Sequence, residues 1–238
     1  MKVHYETGNI YDLKLSDFDS KNVFKKIGVY KYDYVKKMNE NWLKVIGYLN
    51  QNFSFEVVDF SDQFYSIERF DDNFEKLIYD FGFNVPKMKQ YIANNNVPIF
   101  KMFPVAFGTD YNDLINYTPV KEPEFYTQSP IIIVEDFVTA RSGYFHADLE
   151  LPFSLVVDGN NRVSYALKQG NVGLNCHYLS LDVLCENDLF LSELDKAVYC
   201  HMADMIALQR LFGDDKLKHR SRKYYKKSYL VKYFKQYI

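Results

Sequence analysis

Tyr34, Val35, Met38, Trp42, Val45, Ile46 and Leu49 recur at three- and four-residue spacing and predict a helix over 29–49 that buries one face. Ahead of it, 10–15 reads as a strand ending in the polar cluster 16–22. After it, Phe53, Phe55 and Val57 alternate with Ser54 and Glu56, the two-residue period of a half-buried strand over 53–60. Phe74, Leu77, Ile78 and Phe81 return to helical spacing and predict an amphipathic helix over 71–81. Pro86 suits a first helical turn, where no backbone N–H is needed. Residues 86–94 therefore read as a short helix, followed by Asn94, Asn95 and Asn96 and an apolar strand over 97–103.

The polar segment 108–128, with Pro119 and Pro123, reads as a long loop or insertion. Residues 130–135 form a short apolar run expected to be a buried strand, 143–157 a strand or hairpin, and 172–182 another strand. Leu194, Val198, Met202, Met205 and Leu208 line one face of a helix over 192–212, opened by a Ser192/Asp195 capping box and closed by Gly213. This irregular alternation of helices and strands predicts an α/β or α+β protein with a mixed sheet, flanking helices and a helical C-terminus. The expected division is an N-terminal α/β extension over 1–85, a core over 86–190, and a C-terminal helix with a basic aromatic tail over 191–238.

Composition narrows the class. With 47% hydrophobic and 25% charged residues, the chain is globular rather than disordered. No run of 18 apolar residues occurs, and the first residues lack the basic-then-apolar layout of a signal peptide, so a cytoplasmic protein without a membrane partner is expected. Cys176, Cys185 and Cys200 are an odd number at spacing that matches no zinc knuckle, and reduced thiols packed in the core fit them best. Tyr and Phe number 21 and 20, and Lys far outnumbers Arg, a bias toward AT-rich codons that points to a low-GC bacterium or one of its phages or plasmids.

The most informative stretch is 153–170, FSLVVDGNNRVSYALKQG. An apolar strand runs into an Asp158-Gly159 turn, Asn160 or Asn161 suits an N-cap, and Val163, Ala166 and Leu167 form a helical stripe that ends at Gly170. A helix N-terminus presents unpaired amides and partial positive charge, and Arg162 in its first turn can fork onto a phosphate, which makes this a candidate anion site. A plain Asp-Gly turn with a capping Asn satisfies the same pattern.

VVDGNNRVSYALKQG resembles the signature loop of the ParB/sulfiredoxin-like superfamily, in which a strand ends in Asp-Gly or Gly, two variable residues and an Arg follow, and an Ala-containing helix runs on to a Gly. The matching positions are Asp158, Gly159, Arg162, Ala166 and Gly170. The resemblance covers about fifteen residues and implies a ParB/sulfiredoxin-like core over 86–190 whose loop and helix start hold nucleotide phosphate. Asn160 stands where the sulfiredoxin branch has its catalytic Cys, which argues against peroxiredoxin repair. Asn160 and Asn161 stand where the partition proteins have Glu-Arg, and the pattern is most similar to the Asp-Gly-x-His-Arg type with Asn161 in place of His.

On this reading Gly159, Asn160, Asn161 and Arg162 bind a nucleoside triphosphate, ATP or CTP, with Mg²⁺ as a candidate companion. Asp158, His146 and Asp148 are the candidate catalytic residues. His146 and Asp148 are two apart and share a face if that segment is a strand, with Glu150 beside them, or else they are the polar side of a hairpin. The expected chemistry is phosphoryl transfer or phosphodiester cleavage on nucleic acid. The alternative is a non-enzymatic accessory protein that uses the fold to bind DNA, RNA or a protein partner.

The tail bears on that choice. Residues 216–238 hold nine Lys or Arg and no acid, leaving the preceding 215 residues at −11, since the whole chain carries only −2. Lys216, Lys218, Arg220, Arg222, Lys223, Lys226 and Lys227 are candidate nucleic-acid contacts, and the interleaved aromatics can stack bases. Equally, Tyr225, Tyr229, Val231, Tyr233 and Phe234 fit a final helix that packs inward and leaves its Lys face solvated.

Overall fold

The computed structural model describes residues 2–3, 5, 10–53, 65–70, 76–103, 129–137, 154–170, 172–209 and 217–238. In chain order these form β1 (Lys2–Val3), β2 (Ile10–Tyr11), a 3-10 turn (Leu15–Phe18), α1 (Lys21–Lys26), α2 (Asp33–Gln51), β3 (Tyr65–Phe70) and β4 (Leu77–Phe83). There follow α3 (Val85–Asn95), β5 (Ile99–Met102), β6 (Ile131–Glu135), β7 (Ser154–Asp158), α4 (Asn160–Lys168), β8 (Leu174–Leu179) and α5 (Leu181–Glu186). The chain closes with α6 (Glu193–Gln209), α7 (Leu217–Lys227), α8 (Tyr229–Tyr233) and a final 3-10 turn (Lys235–Tyr237). The protein is thus mixed α/β, with a helical C-terminus, and its contacts divide it into one unit of 1–58, 66–82 and 190–238 and another of 59–65 and 83–189.

In the first unit α2 packs against α6 and α7, and α6 against α8. The α2 stripe is buried as its spacing predicts, at Val35, Met38, Trp42, Val45, Ile46 and Leu49. Two carboxylates organise this interior. Asp195, fully buried, pairs with Lys2 Nζ at 3.1 Å and accepts from the hydroxyls of Tyr5, Tyr79 and Ser192. Asp204 accepts from Trp42 Nε1 at 3.0 Å and from the backbone N–H groups of Tyr229 and Leu230, so it holds the start of α8. Leu230 and Phe234 are wholly buried and Tyr225 is buried too, so these tail residues belong to the core of this unit, while Tyr224, Tyr229, Tyr233 and Tyr237 stay partly exposed.

Several expectations need correction. The helix expected over 71–81 is a strand at its described end: residues 79–83 are all buried, with Tyr79, Phe81 and Phe83 at 0% exposure, and pairing with β3 overrides the helical spacing of Leu77, Ile78 and Phe81. The strand expected over 10–15 is only β2, because Leu15 opens a 3-10 turn. The Ser192/Asp195 box is half formed. Ser192 Oγ takes the Asp195 N–H, but the Asp195 carboxylate turns inward to Lys2 and the tyrosines. The strand predicted over 53–60, apart from Phe53, and the loop over 108–128 lie outside the described residues.

In the second unit the four-stranded sheet has the order β5-β8-β6-β7, with β6 parallel to β8 and the other neighbours antiparallel. One face carries Ile131, Ile133, Val156 and Cys176, on which α4 lays Val163 and Ala166. The opposite face is also buried at Ile132, Val134, Leu155 and Leu179, which explains why these strands read as unbroken apolar runs. The strand expected over 172–182 stops at Leu179, since Ser180 caps α5 by accepting the Val183 N–H. β5 lies at the sheet edge, so its Ile99 and Phe100 are exposed although the segment is apolar.

Candidate functional site

Asp158 ends β7 and Arg162 lies one turn into α4, with the chain reversing at Gly159. Gly159 has φ 107° and is itself the N-cap, where Asn160 or Asn161 was expected. A side chain at 159 is excluded by geometry as well as by dihedral, because a Cβ would stand 2.4 Å from Ile131 Cγ2. Among the described residues no side-chain hydrogen bond caps the α4 N-terminus and none reaches the buried Asn160 Oδ1. Gly170, at φ 82°, follows the helix as predicted.

A register shift in the sheet aims Asp158. Ile133 pairs with Val156 but Ile132 pairs with Asp158, so Val157 is the extra residue of a bulge. Unbroken alternation would send Asp158 to the α4 face alongside Val156. The bulge instead puts it on the face of Ile132, and Ile132 is paired on its other side with His177. Asp158, Ile132 and His177 therefore stand abreast on three adjacent strands. They line a cleft of about 390 Å³, completed by Lys89, Ile92 and Ala93 of α3 and by Ser129, Pro130 and Arg162.

Arg162 is held internally. Its Nη2 donates to Asp158 Oδ2 at 3.2 Å, while Nη1 reaches Ser129 Oγ at 2.9 Å, the Pro130 carbonyl at 3.0 Å and the Ser129 carbonyl. The guanidinium thus ties the end of β7 to the entry of β6. Lys89 Nζ approaches the same Asp158 Oδ2 at 3.4 Å and is about half exposed at the cleft. His177 Nδ1 lies 3.3 Å from the Pro98 carbonyl; a carbonyl only accepts, so in the neutral ring this contact leaves the lone pair on Nε2.

The structure brings Asp158, Gly159, Asn160, Asn161 and Arg162 together on one loop and helix start. His146 and Asp148, with Glu150, lie outside the described residues, as does Lys216. Lys89 and His177 were missed as cleft residues. Their spacing carries no motif, and only the packing of α3 and the β6–β8 register place them beside Asp158.

Cys176 is buried in the α4-side core, and burial pushes its thiol up to about 11, against a Met102 backbone hydrogen bond and the charge of Arg162. His177 points to the other face, so the two adjacent residues do not converge. Cys185 and Cys200 are also buried free thiols. Among the described residues no three His, Cys, Asp or Glu side chains come together to hold a metal ion, and no helix is long and apolar enough to cross a membrane.

In the tail, Arg220, Arg222, Lys223, Lys226 and Lys227 are exposed on α7, and Lys218 lies in the same helix. The inner side of α7 is buried at Ser221 and Tyr225, and the Tyr225 hydroxyl accepts from Asn41 Nδ2 at 2.9 Å. No family model matches this chain, nor does any curated protein or solved structure.

Proposed function

We propose that the cleft binds the phosphate groups of a nucleotide, and that the unit holding it is ParB/sulfiredoxin-like. The observation that carries this reading is the α4 N-terminus, opened by a left-handed glycine and without a side-chain cap, beside a cleft flanked by Lys89 and Arg162. Amides and helix dipole favour an anion there, and Lys89 adds a point charge at the cleft. Arg162 serves first as the strut that shapes the loop, and an incoming phosphate draws on its charge more than on fresh hydrogen bonds.

The same superfamily resemblance extends the proposal to phosphoryl transfer or phosphodiester cleavage. Of the described cleft residues, His177 Nε2 and Asp158 are the groups able to accept a proton. Asp158 Oδ2 already faces two cations, Lys89 and Arg162, so the carboxylate does not fit a Mg²⁺ ligand. A second reading, a binding protein that uses the fold as a scaffold without chemistry, is favoured by the exposed cations of α7.

Isothermal titration of ATP, CTP and GTP tests the cleft. Wild type should bind at least one of them, and Lys89→Gln should weaken binding about tenfold, the loss of one charge-assisted contact. Absence of binding to all three overturns the proposal.

A further inference from the structure

We propose that the outer face of α7 docks the phosphate backbone of double-stranded nucleic acid, without regard to base sequence. The proposal stands on the first unit alone and does not depend on the cleft. Arg222, Lys223, Lys226 and Lys227 form two adjacent pairs one helical turn apart, all exposed, and among the described residues no carboxylate pairs with any of them. Lys37, exposed on α2, extends the patch, with its Nζ 5.3 Å from the Tyr225 ring centroid.

A merely solvated helix face ordinarily interleaves signs, because opposite charges four residues apart support the helix and like charges oppose it. Here Arg222–Lys226 and Lys223–Lys227 are like-charged pairs at that spacing, and no acid occurs from 217 to 238. A polyanion lying along the face relieves both repulsions.

The structure also chooses among polyanions. Base stacking needs exposed ring faces, yet of the two α7 aromatics Tyr225 is buried and Tyr224 is only partly exposed, its hydroxyl donating to Asp204. The face therefore offers charge and no stacking platform, which suits a duplex backbone better than unpaired bases. A membrane surface calls for apolar residues beside the basic ones. From His219 to Lys227 the exposed positions are all His, Arg or Lys, so lipid is disfavoured.

Deleting the tail cannot test this, because it removes Leu230 and Phe234 from the core. The experiment is fluorescence anisotropy of the full chain with a labelled 20-base-pair DNA duplex over a range of salt. Four phosphate contacts give a slope of log K against log salt of about −4. Lys226→Gln with Lys227→Gln should reduce the slope by about two and weaken binding at least tenfold at low salt, while Lys226→Arg with Lys227→Arg keeps both. Lys21→Gln with Lys25→Gln, exposed on α1, should change neither. Circular dichroism establishes that each variant is folded. The proposal is overturned by no duplex binding at low salt, by equal loss in the α1 variant, by preference for a single strand of the same length, or by binding to phosphatidylserine vesicles without binding to duplex.

Discussion

Arg162 donates to Asp158 across the Gly159 turn, at 3.2 Å, and with its other amino group holds Ser129 and Pro130 at the entry of β6. One side chain thus joins the end of β7, the start of α4 and the start of β6. A residue read from sequence as a phosphate ligand is also a structural strut.

Arg162→Ala should therefore lose stability in the absence of any nucleotide, by about 2 kcal/mol, since hydrogen bonds to a charged group are removed from a mostly buried site. Arg162→Lys should recover only part of this, because an ammonium cannot fork between Asp158 and two carbonyls. Urea denaturation of the two variants checks both statements. Equal stability in all three proteins would mean that the strut is idle.

Two glycines with positive φ should behave differently. Gly159→Ala meets Ile131 as well as an unfavourable dihedral and should cost about 3 kcal/mol. At Gly170 a Cβ meets nothing within 4 Å, so Gly170→Ala should cost about 1 kcal/mol, the dihedral alone. Thermal or urea unfolding distinguishes them.

Two buried groups of the first unit pull stability in opposite directions with pH. Burial, with Arg69 adding to it, pushes His201 down to about 3 against a hydrogen bond with the Phe18 backbone. The unfolded chain then binds the proton more readily, so this group makes stability rise with pH from about 3 to 6.5. Burial pushes Asp204 up to about 7 against its four donors. There the folded state holds the proton more tightly, so this group's contribution is full below its unfolded value near 3.8 and is lost as pH rises through 7. Across the shared window the two slopes cancel. His201→Leu should tilt the stability profile downward with rising pH by about 1.4 kcal/mol per unit relative to wild type, and Asp204→Asn should tilt it upward by a similar amount. Urea midpoints between pH 4 and 6.5 measure both.

The Lys2–Asp195 pair is fully buried, with Lys2 Nζ 3.8 Å from the Tyr5 ring centroid. Burial lowers the Lys2 pKa against the pull of Asp195. Asp195→Asn strands the ammonium and should cost about 4 kcal/mol, whereas the same change combined with Lys2→Met should recover most of that loss. A double-mutant cycle reads the difference as a coupling energy.

The local pattern was enough for much of the architecture. The α2 stripe, the Pro86 helix, the 131–135 strand and the strand–turn–helix at 154–168 are where period, proline and glycine place them, because each depends on neighbours within a turn or two. Spacing failed at 77–83, where Leu77, Ile78 and Phe81 fit a helix but strand pairing and aromatic burial prevail. It also failed at α5, whose start is set by the Ser180 cap.

Sequence by itself determined the turn, the helix start and the presence of Asp158, Gly159 and Arg162 at a candidate site, since these share one continuous loop. It also marked the tail as basic and aromatic, leaving open whether its rings stack bases or pack inward. Only tertiary structure decided the rest. A one-residue bulge against β6 turns Asp158 to the face of His177, packing of α3 brings Lys89 to it, and Asp204 holds the start of α8, from which Leu230 and Phe234 enter the core. Register and helix docking depend on residues far apart in the chain, and a single-residue slip reverses a side chain's face without altering the local pattern that predicted the strand.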